Sequence, residues 1–282
     1  WHKILLDERN KRDRPRLDDK TLTSWNALML KGYIDAYSVF KEDKFLDTAL
    51  KNAHFIMNHM MKEDGGLYRN FKNGQSNIEA YLEDYATVID AYINLYEVTL
   101  DESWLKTAKQ LTDYCFDHFY DDSSKMFFFT SDEDPSLVSR SIEYRDNVIP
   151  GSNSIMAKNL LKLSHFFDNE AYYQTATIML NNVKPEIKQY PSGFSNWLDL
   201  MLNYTQNYYE VAIVGEQVHE KIEQLNGTYL PNKLIIGSKT ENDLPLLKNR
   251  YIEDNTLIYV CVNKACKLPV SEVDKAIELL KE

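Results

Sequence analysis

The sequence predicts a mainly α protein: repeated antiparallel helical hairpins curling into part of a two-ring toroid, then a small α/β region. Three observations carry this. The chain repeats itself at a shift of 59 residues and again at a shift of 68. Glycine and proline are scarce, at 9 and 8, while tyrosine reaches 19, which suits long helices with broad contact faces. The last seventy or so residues become β-rich.

At the shift of 59, Trp25 falls on Asp84, Tyr33 on Tyr92, Tyr37 on Tyr96, Leu46 on Leu105, Ala49 on Ala108 and His59 on His118. At the further shift of 68, Asp84 meets Ser152, Leu95 meets Leu163, Trp104 meets Tyr172 and Ala108 meets Ala176. The nine extra residues fall in the loop around 131–149. Each copy opens with a helix whose apolar residues recur every three or four positions, at about 21–40, 80–99 and 152–167. A polar link follows ("KEDK", "LDES", "FDNE"), then a returning amphipathic helix at about 44–61, 103–119 and 170–182. "DGGLYRNFKNG" and "DSSKMFFFTSD" end the first two copies and read as short extended excursions. A partial fourth helix is expected near 194–206.

The domain boundary is placed near Asn207, giving a helical-hairpin region 1–207 and an α/β appendage 208–282. "EVAIVG" (210–215), "NKLIIG" (232–237) and "TLIYVCV" (256–262) are its strands, with helices at 216–226 and 270–281. "VAIVGE" lacks the later glycines of a dinucleotide loop, so no nucleotide cofactor is expected. The chain starts at Trp1 and reads as a piece of something longer.

The charge of -11 argues against nucleic acid and anionic membranes as partners, and no apolar run is long enough to span a bilayer. Three scattered cysteines fit a reducing, cytoplasmic setting. Cys261 and Cys266 lack CxxC spacing and read as structural thiols. His54, His59, His118 and His165 lie away from the helix entrances, and no metal spacing is visible.

The entrances of the first-of-pair helices fall in register: Ser24-Trp25-Asn26, Glu83-Asp84-Tyr85 and Gly151-Ser152-Asn153. In an inner ring these ends open on one mouth, where helix dipoles favour anions and polar oxygens. Asp84, flanked by Tyr81, Leu82 and Tyr85, is expected to be partly desolvated, which raises a carboxyl for acid catalysis. The chemistry of paired carboxylates makes Asp84 the general acid, with Glu83 or Asp19 as second carboxylate. Trp25 and Tyr81 would stack a sugar, and Asp18, Asn26, Ser152 and Asn153 would bind its hydroxyls. Each has a plainer reading beside it. Asp18 and Asp19 suit helix caps, Glu83 and Asp84 suit a first helical turn, Ser152 suits a cap and Trp25 suits a core.

"RPRLDDKTLTSWNAL", "YLEDYA" and "PGSNS", with "YLPN" (229–232) and "YVCVNKACKLPV" (259–270), resemble the YyaL-type, spermatogenesis-associated, thioredoxin-domain-containing proteins over essentially the whole chain. Ala27 stands where that family usually has glycine. The resemblance implies an (α/α)6 toroid similar to six-hairpin glycosidases and N-acylglucosamine 2-epimerases. It also implies an N-terminal thioredoxin-like domain and early hairpins lying outside this chain. A half-ring would then self-associate or pack on that missing half. Three functions stay open: a glycoside hydrolase-like enzyme, an epimerase-like isomerase, and a non-catalytic sugar-binding or scaffold module.

Overall fold

The computed structural model describes residues 1–134 and 139–281; part of the expected inserted loop, 135–138, lies outside the described residues. The chain runs α1 (His2–Asn10), β1 (Thr21–Leu22), α2 (Thr23–Phe40), α3 (Asp43–His59), β2 (Asn70–Lys72), β3 (Gln75–Ser76), α4 (Leu82–Thr99) and α5 (Glu102–His118). It continues with β4 (Tyr120–Asp121), β5 (Met126–Phe127), α6 (Ser152–Phe167), α7 (Glu170–Ile187), a 3-10 turn (Pro191–Phe194) and α8 (Ser195–Thr205). The α/β end holds β6 (Tyr209–Val214), α9 (Val218–Asn226), β7 (Lys233–Ser238), β8 (Leu257–Val262), β9 (Ala265–Cys266) and α10 (Val273–Leu279).

The repeat is exact at the hairpins. Moved by 59, both ends of α2 and α3 coincide with those of α4 and α5; moved by a further 68, the end of α4 and the start of α5 coincide with those in α6 and α7. The reason is a shared two-residue turn. Lys41, Leu100 and Asp168 each end an inner helix in the left-handed region, at φ 57°, 59° and 52°, and each donates its N–H four residues back. Glu42, Asp101 and Asn169 then open the outer helices, and the last two cap them through side-chain oxygens. None of the three turn residues is the glycine that this backbone favours.

The hairpins stack side by side: α4 packs on α2, α5 and α6, and it is buried along nearly all its length. One apolar core joins Leu30, Ile34, Tyr85, Tyr92, Tyr96, Leu160 and Trp197. Trp197 and Phe194 are fully buried, so the fourth inner helix belongs to this stack. Two expectations need adjusting. α1 was not foreseen and buries no residue, and α7 runs to Ile187 past Pro185, whose missing N–H costs one bond near a helix end.

The excursions form two small antiparallel sheets, β1–β2–β3 and β4–β5. The third sheet has the order β7–β6–β8–β9, with β6 parallel to β7 and antiparallel to β8. Strand β6 is buried on both faces by its alternation. Ala212 and Val214 join the helical core, while Val211 and Ile213 pack with α9 and α10. The β6–α9 turn requires Gly215, at φ 131°, because a Cβ there would sit 2.2 Å from the Asn255 carbonyl oxygen. Cys261 and Cys266 are not thiols: they face each other across β8–β9 and form a disulfide, and Cys115 is the free, buried cysteine.

The left-handed turn residues yield a stability test. Lys41→Gly, at an exposed left-handed position, raises stability by about 0.5–1 kcal/mol in urea unfolding. The control Lys51→Gly, inside α3, lowers it by about 1 kcal/mol.

Candidate functional site

The starts of the inner helices lie at one end of the stack and are laced to one another. The Ser24 N–H donates to Asp84 Oδ1 at 2.9 Å, tying α2 to α4. The Leu82 N–H donates to the Phe129 carbonyl at 2.9 Å, and Asn153 exchanges two bonds with the Phe127 backbone, both 2.9 Å, tying α4 to α6 through the excursion. Asp146 accepts from the Gly151 N–H, the Ser154 hydroxyl and the Asn196 N–H at 2.9, 2.6 and 2.9 Å, tying α6 to α8. The bonds from the Ser24, Leu82 and Asn196 N–H groups satisfy first-turn donors that a helix cannot satisfy itself.

Asp84, expected at an open mouth, has no exposed surface. Besides Ser24 it accepts from the Tyr81 N–H at 3.0 Å and from Arg69 Nη1 at 3.0 Å. Arg69 Nη1 also donates to Glu83 Oε1 at 2.6 Å, and its guanidinium lies 4.5 Å over the Tyr81 ring, which packs at a tilt of 39° against Phe129. Burial pushes the Asp84 carboxyl up to about 6, against the pull of the Arg69 charge and of the Tyr81 and Ser24 N–H groups. The shift expected for an aromatic setting is therefore present, but the group is sealed.

The other expected residues divide. Glu83 and Tyr81 join Asp84 around Arg69, with Glu83 only 8% exposed. Trp25 is 65% exposed, on the α2 flank that also presents Met29, Val39 and Phe40, so it is neither core nor part of the Asp84 cluster. Asp18 and Asp19 do not cap α2, whose cap position is Leu22; they pair with Lys20 and Lys72 in the open. The Lys20 side chain holds Asp18 below its ordinary value, and Lys72 does the same for Asp19. Asn26 bonds the Leu22 carbonyl, and Ser152 donates to the Glu143 carbonyl rather than capping its helix. Ser152 and Asn153 are fully buried, with their side-chain bonds spent on backbone.

A groove that the sequence reading did not identify runs along the inward faces of α2, α4, α6 and α8. Its main part holds about 660 Å³ and extends toward the entrances as a smaller cleft, sharing Lys31, Asp90 and Lys158. The segment 226–231 and Tyr208 close its far end, and Tyr229 stands there 89% exposed. Cations and acids alternate along it. Lys162 Nζ lies 3.8 Å from Asp90 and 4.0 Å from Glu97, so those two carboxylates are within about 8 Å of each other. Lys31 donates to Asn94 at 3.2 Å, and Lys158 pairs with Asp199. Burial would raise the Asp90 carboxyl, but Lys31, Lys162 and Lys158 outweigh it and hold the group below its ordinary value. Lys233 at the closed end is lowered by burial. The signal available in sequence was their three- and four-residue spacing on helices predicted to be inner. Among the described residues no group of three or more His, Cys, Asp or Glu side chains is placed to hold a metal. No helix among them is long and apolar enough to cross a membrane.

The sealed carboxylate sets a stability prediction. Asp84→Ala leaves the buried Ser24 N–H and the part-buried Tyr81 N–H without their acceptor and Arg69 with Glu83 alone, and costs about 3 kcal/mol at pH 7 in urea unfolding. A folded value near 6, above the ordinary 3.8, means that the folded state holds the extra proton between those limits. The contribution of Asp84 therefore falls as pH rises from about 4 to 6, and the Ala penalty is larger at pH 4 than at pH 7.

Comparison with known proteins places this geometry. Human spermatogenesis-associated protein 20 is 28% identical over 297 residues, covering 98% of this chain and 38% of that protein. An uncharacterised Caenorhabditis elegans protein is 28% identical over 295 residues, covering 99% of this chain and 40% of that one. The resemblance read from the sequence motifs is thus borne out, and the chain spans about two-fifths of the length of these relatives. Among solved structures, a family 76 α-mannanase of Bacteroides thetaiotaomicron has a TM-score of 0.54 at 16% identity, over 83% of this chain and 66% of that one. The cellobiose 2-epimerase of Bacillus thermoamylovorans has a TM-score of 0.50 at 17% identity, over 60% and 46%. Those two show the toroid fold. Residues 8–208, which include every hairpin and the groove-lining helices, match the β-L-arabinofuranosidase GH127 catalytic domain, and the chain belongs to that family.

Proposed function

We propose that the chain is a carbohydrate-active domain whose sugar site is the groove along the inner helices. The observation that carries this is the row of alternating donors and acceptors (Lys31, Asp90, Asn94, Lys162 and Glu97) along one concave face. Sugar hydroxyls are both donors and acceptors, and a cleft with closely spaced partners of both kinds suits them. The family match and the named activities of the two structural neighbours, on a mannan and on cellobiose, favour the same substrate class. In this reading the Asp84–Arg69–Glu83 cluster fixes the entrance, and Tyr81 and Trp25 remain candidate stacking surfaces at its edge.

Turnover requires a proton donor beside a nucleophile or base. The hydrolase form of the proposal gives these roles to Asp84, Glu83 and Asp19, as the sequence suggested, with Asp90 and Glu97 as the groove alternative. One observation favours binding without turnover: Asp90 is held ionised by its lysines, and Asp84 is sealed from solvent. Isomerisation of the epimerase kind is the third form. Packing of the α2 flank on another part of a longer protein, or on a second copy, fits the exposed Trp25, Met29, Val39 and Phe40.

The test is calorimetric titration with arabinose, mannose and cellobiose, alongside hydrolysis of nitrophenyl β-L-arabinofuranoside and α-mannoside and epimerisation of cellobiose. At least one sugar is expected to bind, with Asp90→Asn weakening it about tenfold, roughly 1.4 kcal/mol. Turnover of a glycoside selects the hydrolase, conversion of cellobiose selects the isomerase, and binding alone selects the binding module. No binding by any sugar would overturn the reading.

A further inference from the structure

The Cys261–Cys266 pair lies outside the groove and is used by nothing described so far. Cys261 ends its side chain in the buried face of β8, while Cys266 in β9 is exposed. They are directly opposed across a turn whose two residues, Asn263 and Lys264, both have positive φ. The telling contact comes from a third residue. Arg250 places Nη1 3.3 Å from the Cys261 Sγ and Nη2 3.2 Å from the Cys266 Sγ, one nitrogen for each sulfur. The guanidinium lies 5.0 Å over the Tyr259 ring, and the Tyr259 hydroxyl donates to the Arg250 carbonyl at 3.0 Å, which fixes the arm. The carboxylate that acts on it is Glu210, and Glu210 is already committed to His165 at 2.7 Å and to the Lys264 N–H at 2.9 Å.

A disulfide sulfur is a weak, neutral acceptor, whereas a thiolate is a full anion. A half-buried guanidinium aimed at both sulfurs therefore gains far more when the pair is reduced than when it is oxidised. It also stabilises the leaving sulfur during exchange. An inert structural disulfide has no use for such a partner. We propose that Cys261–Cys266 is a redox-active, exchangeable disulfide that accepts two electrons from a dithiol, with Arg250 favouring its reduced form.

The step balances. A thiolate of the dithiol attacks the exposed Cys266 Sγ, the Cys261–Cys266 bond breaks, and the electron pair leaves on Cys261 beside Arg250 Nη1. The second thiol of the dithiol, losing its proton, then attacks its own sulfur in the mixed disulfide and releases Cys266. The dithiol ends as a disulfide, and its two protons pass to solvent or to the cysteines. The hairpin does not depend on the bond to stay in place. Its turn remains docked on the toroid through Lys264, which bonds Glu210 and pairs with Asp168 at the end of α6.

The test equilibrates the chain in reduced and oxidised dithiothreitol, traps thiols by alkylation, and maps them by mass spectrometry. The mapping separates Cys115, which is buried, from the pair. The native wild type is expected to reduce fully while its circular dichroism is unchanged. Arg250→Gln shifts the equilibrium about tenfold toward the disulfide and slows Cys266 alkylation at pH 7 by a similar factor, with Arg250→Lys intermediate. The wild type alone supplies a second readout: Cys266 alkylation half-saturates below the ordinary thiol range. Reduction only under unfolding conditions, or an Arg250→Gln chain indistinguishable from wild type in both equilibrium and alkylation, overturns the proposal. A misfolded Arg250→Gln chain leaves the decision to the wild-type alkylation profile.

Discussion

The constraint on which this molecule turns is the supply of hydrogen-bond acceptors to helix starts. A stack of hairpins brings every inner helix to begin at the same end, so unpaired first-turn N–H groups collect in one crowded, buried place. Asp84, Asp146 and the carbonyls of the excursions supply acceptors there, and the two carboxylates reach from one repeat to its neighbour. Asn153 completes the set by pairing with the Phe127 backbone in both directions. The excursions are thus structural parts of the ring. Buried polar groups specify how the repeats register; apolar contact alone leaves them free to slide.

The same requirement shapes the division of labour. Side chains that lace the entrances are consumed by backbone and have little left for a ligand, as Asp84, Ser152 and Asn153 demonstrate by their burial. About two helical turns further in, the inward positions are free of that duty. There Lys31, Asp90, Lys158 and Lys162 line a cleft instead of a core. Charge balances within the cleft, since lysines and acids hold one another ionised, and the strongly negative character of the chain sits mostly elsewhere. Strand β6 then joins ring and appendage by offering alternate residues to two cores, so the far end of the groove is closed by structured chain.

Much of the fold was legible because periodicity and repetition survive sequence drift. The shifts of 59 and 68 placed the hairpin ends to within a residue or two, the far end of α7 excepted, since the two-residue left-handed turn fixes length regardless of which residue adopts it. The site was less legible. Asp84 and Glu83 lie at the helix entrance where the repeat put them, but their partner Arg69 lies in an extended excursion whose pairing depends on tertiary contact. The core reading of Trp25 fails because one residue of rotation on a helix separates the buried stripe at Ser24 from the open flank. The groove charges drew no reading from sequence because only the curvature of the stack turns that face inward. The disulfide was missed by applying the CxxC rule; two cysteines flanking a two-residue "NK" turn, four residues between them, are opposed across a hairpin.

Native-state hydrogen exchange at the amides of Ser24, Leu82, Phe127 and Asn196 tests the lacing most directly. If these bonds hold the ring together, the four amides exchange only through global unfolding, with the same free energy as mid-helix amides of α4. Exchange of the entrance amides by local fraying, orders of magnitude faster than the helix centre, would contradict the account.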